Sequence, residues 1–267
     1  MLAHQIDGDG PLTVALLHGV GGGRSIWDTR HSGTAAALAA AGFRVIALDL
    51  PGYGGSPLST AGPPPLSTAG MARAVANALQ ALNARPAVLL GHSMGGMVAQ
   101  ELWVQDPQAV WALVLACTSP AFGKPDGAWQ QAFLNSRLAP LDAGEGMPAL
   151  AQRLVAGMVA PGCPPDVQAR GAAVMAQVPE ATYRAALQAI VGFDRRAGLP
   201  TITVPTLCLA AEHDRTAPPE VMQRMAERIP GGTYACIGGA GHLANVEQPQ
   251  AFADAVTAFL RQHLGAP

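Results

Sequence analysis

Ser93 lies at the centre of Gly91-His92-Ser93-Met94-Gly95, a G-x-S-x-G segment. Glycines two positions to either side suit a turn so tight that ordinary side chains would collide, and the serine hydroxyl then projects from the apex. A hydroxyl is a weak nucleophile until a base takes its proton and an acid orients that base. His242, at the end of Gly238-Gly239-Ala240-Gly241-His242, is the base the sequence offers. Both Glu212 and Asp214 offer the carboxylate, within the polar stretch Glu212-His213-Asp214-Arg215-Thr216-Ala217-Pro218-Pro219. Attack on a carbonyl also needs N–H donors for the oxyanion. The Met94 amide, next to the serine where a helix begins, is the first donor. The Val20 amide, in His18-Gly19-Val20-Gly21-Gly22-Gly23, is the second. His18 is read as ordering that loop by hydrogen bonding. Together these residue types specify acyl transfer through a serine.

Such groups work only if rigid elements hold them. The apolar run 87–90 reads as a strand entering the turn, and 97–103 as a helix leaving it, with Gly96 allowing close helix–sheet packing. Strands at 13–17 and 204–211 lead into the Val20 loop and the acid loop. A helix at about 220–228 and a strand at 233–237 precede His242. Further strands are expected at 3–6, 43–48 and 110–116, and helices at 34–41 and 68–82. A last helix starts at Pro249, a residue suited to a first helical position, with Phe252, Val256, Phe259, Leu260 and Leu264 on one stripe. Strands alternating with helices imply a mainly parallel sheet.

The His18-Gly19 loop, the turn Asp49-Leu50-Pro51-Gly52-Tyr53-Gly54-Gly55-Ser56, the serine turn and the Asp214 and His242 loops resemble those of α/β-hydrolase-fold enzymes over nearly the whole chain. The segment Gly239-Ala240-Gly241-His242-Leu243-Ala244-Asn245-Val246-Glu247-Gln248-Pro249 is especially similar to 3-oxoadipate enol-lactonases, and recurs in related esterases and C–C bond hydrolases. The resemblance implies Ser93 as nucleophile, Asp214 rather than Glu212 as acid and His242 as base; Asp49, just before a glycine turn, is read as structural. It implies an eight-stranded, mainly parallel sheet flanked by helices, with a helical cap inserted after the sixth core strand. The core then covers 1–118 and 198–267 and the cap 119–197. Within that interval prolines, among them Pro120, Pro125, Pro140, Pro148, Pro161, Pro164, Pro165 and Pro179, separate short helical patterns. These carry Trp129, Phe133, Leu134 and Leu138; Leu150, Leu154, Val155 and Met158; Val167, Val174 and Met175; and Tyr183, Leu187 and Ile190. Arg137, Arg153, Arg170, Arg184, Arg195 and Arg196 also fall there. Each is read as solvated surface unless several converge on an anion.

The expected activity is hydrolysis of a small carboxylic ester or (enol-)lactone through an acyl-enzyme, with no metal and no organic cofactor. A C–C bond hydrolase of ring-fission diketones, a cofactor-free perhydrolase and a non-catalytic binding member of the fold are the alternatives. The 267 residues suit one α/β core with an insert, and 49% hydrophobic residues match a globular chain. A net charge of −2 without basic clusters gives nucleic acid no electrostatic footing. The amino terminus lacks the basic and apolar regions of a signal peptide, and no stretch is apolar enough to span a bilayer. Cys117, Cys163, Cys208 and Cys236 show no metal-ligand spacing, and all but Cys163 fall in strands read as buried. The expectation is a cytoplasmic monomer or homodimer acting on a small molecule, with no membrane or nucleic-acid partner. Residues 57–62 and 65–70 nearly duplicate one another and read as a mobile surface loop.

Overall fold

The computed structural model describes residues 1–58, 66–123 and 127–265. Strand β1 (His4–Asp7) and strand β2 (Thr13–Leu17) come first, then helix α1 (Thr34–Ala40), β3 (Arg44–Leu48), α2 (Thr68–Ala81), β4 (Ala87–His92), α3 (Met94–Gln105) and β5 (Val110–Ala116). Four helices follow: α4 (Ala128–Asp142), α5 (Met147–Ala156), α6 (Pro165–Met175) and α7 (Glu180–Val191). The chain then returns through β6 (Thr206–Ala211), α8 (Pro219–Arg228), β7 (Thr233–Ile237), α9 (Ala244–Glu247) and α10 (Pro249–Leu264).

The sheet order is β1-β3-β2-β4-β5-β6-β7. Only β1 runs antiparallel, pairing His4 with Leu48; the other pairs are parallel. Among the described residues the sheet therefore has seven strands, not the eight that the family resemblance implied. The apolar segments visible in the sequence also number no more than these, and β1 already forms the antiparallel edge. The four-helix insert consequently follows β5, the fifth strand, rather than a sixth.

Inner strands β2, β4 and β6 are buried at every position, because helices cover both faces of a parallel sheet. The edge strand β7 alternates instead, so Cys236 is exposed although it sits in a strand. One apolar cluster joins α2, α3 and the insert to one face; a second joins α1 and α10 to the other. Helix α2 starts where the Ser67 hydroxyl accepts the Gly70 N–H at 3.0 Å. The second copy of the sequence duplication thus opens a helix, while residues 59–65 lie outside the described residues. Prolines that looked like breaks occupy first turns of α5 and α6, and Pro140 lies inside α4.

Strand order reverses between β2 and β4, and the loops beyond their carboxyl ends open a crevice there. Helix α3 descends against the sheet at this point. A Cβ on Gly95 would lie 2.1 Å from the Leu17 carbonyl oxygen, and one on Gly91 2.3 Å from the Gly95 oxygen. The close approach to the sheet is therefore made by Gly95, whereas Gly96 packs against the Thr118 side chain. Gly95→Ala pushes backbone against backbone and is expected to lower unfolding free energy by roughly 1–3 kcal/mol or more. Gly192→Ala, where an added Cβ meets nothing within 4 Å, should change it by less than about 0.5 kcal/mol. Urea unfolding midpoints of the pair check this.

Candidate active site

Ser93 sits between β4 and α3 with φ 54° and ψ −118°, in the left-handed half of backbone space that a non-glycine residue rarely occupies. The strain is held by the Ser93 N–H donating to the Ala116 carbonyl at 2.9 Å and by the Thr118 hydroxyl donating to the Ser93 carbonyl at 2.7 Å. This geometry turns Oγ out of the elbow. It lies 3.0 Å from Nε2 of His242. On the other side of that ring, Nδ1 is 2.8 Å from Oδ2 of Asp214. The two loops are also tied through their backbones, the His213 N–H donating to the Ala240 carbonyl at 2.8 Å. Glu212, the rival carboxylate, faces elsewhere and accepts the Gly239 N–H at 2.8 Å.

Asp214 is buried. Burial alone would raise its carboxyl, but the charge and hydrogen bond of His242, then the Ala217 and Thr216 amides, hold it below the ordinary carboxylate range. Those amides donate to Oδ1 at 2.9 and 2.7 Å. The acid therefore stays ionised and its acceptor directions are fixed, which leaves Nδ1 of His242 as donor and Nε2 free to accept from Ser93. Cys117 also borders the site, but burial and then the Asp214 charge push its thiol upward, so it stays protonated.

The His18–Gly23 loop is built with equal economy of space. A Cβ on Gly19 would come within 3.1 Å of the Ser93 Cβ, a tight contact that glycine avoids where the loop approaches the elbow. His18 is buried; its Nδ1 is 2.8 Å from the Gly19 carbonyl, and its Nε2 accepts the Leu50 N–H at 3.1 Å. The Tyr53 hydroxyl donates to the Val20 carbonyl at 3.0 Å. Val20 and Met94 both line the cavity above Ser93. Asp49 binds the neighbouring turns together, accepting the Arg24 and Gly55 amides at 2.8 and 3.1 Å and pairing with the Arg24 side chain. Sequence patterns alone did not single out Tyr53 and Thr118. Each acts on a backbone carbonyl of another segment, and only three-dimensional proximity reveals that.

The cavity holds about 100 Å³ and is mainly apolar. Its floor is Ser93, His242 and the Val20 loop; its walls include Phe133, Arg137, Met158, Met175, Tyr183 and Leu187 from the four-helix insert. The insert arginines are not equivalent. Arg153 pairs with Glu145 at 2.9 Å, Arg184 with Asp142 at 2.7 Å, Arg195 with Glu101 at 2.7 Å, Arg170 with Asp166 at 3.8 Å, and Arg196 with Asp194. Arg137 instead lies over the Phe133 ring, 3.7 Å from its centre, and has no carboxylate partner among the described residues. His31 is half-buried against Asp28, its Nδ1 2.8 Å from Oδ1. Among the described residues no group of three or more His, Cys, Asp or Glu side chains is placed to hold a metal ion, and no helix is long and apolar enough to cross a membrane.

A sequence profile described as alpha/beta hydrolase fold matches residues 13–249. The chain belongs to that family. This hydrolase is 33% identical over 252 residues to a protein of Variovorax paradoxus named as a carbamate hydrolase, RutD, with 92% of this chain and 91% of that one covered. It is 29% identical to the pimeloyl-[acyl-carrier protein] methyl ester esterase of Pectobacterium atrosepticum, over 96% of both chains. The enol-lactonase of Burkholderia xenovorans superposes with a TM-score of 0.83 at 27% identity, covering 97% of this chain and 96% of that one. Relatives with different named substrates share one fold, so the family identifies a hydrolase enzyme and leaves its substrate to the site.

Two buried imidazoles flank the site. Burial brings His18 down to about 4, and burial together with the nearby His242 brings His92 down to about 4. Between about pH 6.5 and about pH 4 the unfolded chain binds protons that the folded chain refuses, so stability falls as pH drops through that window. The depressed Asp214 carboxyl adds loss in the same direction at lower pH, as pH falls below its unfolded value. Each histidine contributes up to about 1.4 kcal/mol per pH unit. His92→Asn should therefore show a shallower decline in unfolding free energy between about pH 7 and about pH 4.5 than wild type, measured by chemical denaturation.

Proposed function

We propose that this hydrolase cleaves small carboxylic esters or lactones that carry a carboxylate of their own, an enol-lactone being the nearest fit, through an acyl-enzyme on Ser93. The reading rests on the contact series Ser93 Oγ to His242 at 3.0 Å and His242 to Asp214 at 2.8 Å, beneath an apolar cavity. His242 takes the hydroxyl proton as Ser93 attacks the carbonyl carbon. The Val20 and Met94 amides receive the oxyanion, and Asp214 steadies the imidazolium. Collapse expels the leaving oxygen, protonated by His242; a water deprotonated by His242 then releases the acid. One oxyanion donor is typically worth about 3 kcal/mol.

Arg137 supports the anionic substrate. Burial draws its guanidinium below the ordinary value, and its partners are the Phe133 ring and carbonyl and the Ser136 hydroxyl rather than a carboxylate, so an anion entering the cavity would add the opposite charge. It is the only lysine or arginine lining this cavity among the described residues. We take residues 1–118 and 198–267 as the core and 119–197 as a cap that shapes the pocket and excludes water.

Ser93→Ala should cut ester turnover by roughly a thousandfold or more while far-UV circular dichroism stays unchanged, and a fluorophosphonate should label Ser93 in wild type. Turnover at the wild-type rate by that variant overturns the mechanism. Arg137→Gln should raise KM for a carboxylate-bearing enol-lactone on the order of tenfold and leave p-nitrophenyl acetate within about twofold. Equal effects on both substrates overturn the anionic reading, and preferential turnover of ring-fission diketones overturns the ester and lactone reading.

A further inference from the structure

The loop that carries His242 is not held by its own strand alone. The connection between α5 and α6 presses on it backbone to backbone: a Cβ on Gly241 would lie 2.3 Å from the Met158 carbonyl oxygen and 2.7 Å from the Ala160 nitrogen. The His242 N–H donates to that Met158 carbonyl at 2.7 Å. Glu247, on the short helix just after the base, closes the contact. Its Oε2 accepts the Ala160 N–H at 2.7 Å, from 87 positions away in the chain. Both its oxygens accept the Gly241 N–H, at 3.0 and 3.1 Å.

Glu247 has no ion-pair partner among the described residues. Its charge is directed at backbone N–H groups from two separate segments, one carrying the base and one belonging to the insert. Hydrogen bonds to an ionised acceptor are the stronger kind, and two segments clasped on one carboxylate cannot move independently. Met158 itself meanwhile lines the cavity above Ser93. One residue thus borders the pocket and accepts the backbone N–H of His242 on its carbonyl.

We infer that Glu247 is a positioning residue for His242, and that residues 158–160 of the insert are the other half of the same clasp, linking cavity occupancy to the alignment of the base. The inference rests on Ser93 and His242 being nucleophile and base. A structural acid would lower stability when removed and leave the chemistry of the surviving folded enzyme unaltered. A positioning acid changes kcat and the pH profile.

Glu247→Ala is expected to lower kcat for p-nitrophenyl acetate at least tenfold, keep KM within twofold and displace the acidic limb of the kcat/KM profile. Glu247→Gln retains one oxygen able to reach both amides and should restore kcat to within about threefold of wild type. Ser93→Ala is run beside them. Wild-type kcat and pH profile in Glu247→Ala, with Ser93→Ala inactive, overturn the clasp and leave the serine mechanism standing; an active Ser93→Ala overturns the mechanism itself. Hydrogen exchange on the wild-type enzyme needs no variant to fold. The Ala160 and Gly241 amides should exchange at one common rate and slow together when a fluorophosphonate occupies Ser93. Separate rates, or slowing of Gly241 alone, overturn the inference.

Discussion

Everything at the reactive centre follows from one steric constraint, the compression of backbone around Ser93. Left-handed φ at the serine is tolerable only if the chain on both sides can pass within a Cβ radius of its neighbours. Gly91, Gly95 and Gly19 supply that clearance against the Gly95 carbonyl, the Leu17 carbonyl and the Ser93 Cβ. With the clearance in place, β4 and α3 set the direction of the hydroxyl, and the Val20 loop comes down beside Met94 at the edge of the same cavity. A turn of ordinary residues would leave the same side chains present but mutually out of reach.

Electrostatics then divide labour among buried groups of similar chemistry. Asp214 and Glu212 lie two positions apart, yet only Asp214 is buried among amides that stabilise its charge. His18, His92 and His242 are all buried. Burial keeps the first two neutral, and they serve as fixed hydrogen-bonding struts: His92 Nε2 meets the His242 carbonyl at 2.7 Å. Only His242 has a carboxylate on one ring nitrogen and the serine on the other.

The serine, aspartate and histidine loops that the fold brings into contact were legible in the sequence because each follows an apolar strand and is punctuated by glycine or proline. Element positions were legible for the same reason: inner strands of a parallel sheet read as unbroken apolar runs, and the amphipathic stripe of α10 has a clear helical period. What failed to show has a physical cause in each case. The eighth strand came from likeness rather than from any apolar segment. Cys236 looked buried because strand propensity does not reveal which strand is at the edge. The difference between Arg137 and its neighbours lies in ion pairs with Glu145, Asp142 and Glu101, and spacing along the chain does not encode those partners. The contacts of Glu247 likewise depend on a segment far away in sequence.

The insert supplies a large part of the cavity wall, whereas the serine, the acid and the histidine all belong to loops of the sheet. Reactivity and selectivity can therefore drift on separate evolutionary tracks. Phe133, Tyr183 and Leu187 border the cavity from elements that carry none of the three contacting side chains. The exception is the short stretch around Met158, which borders the cavity and accepts the His242 N–H; under the proposed clasp, adaptation to a new molecule there is coupled to the rate at which any molecule is processed.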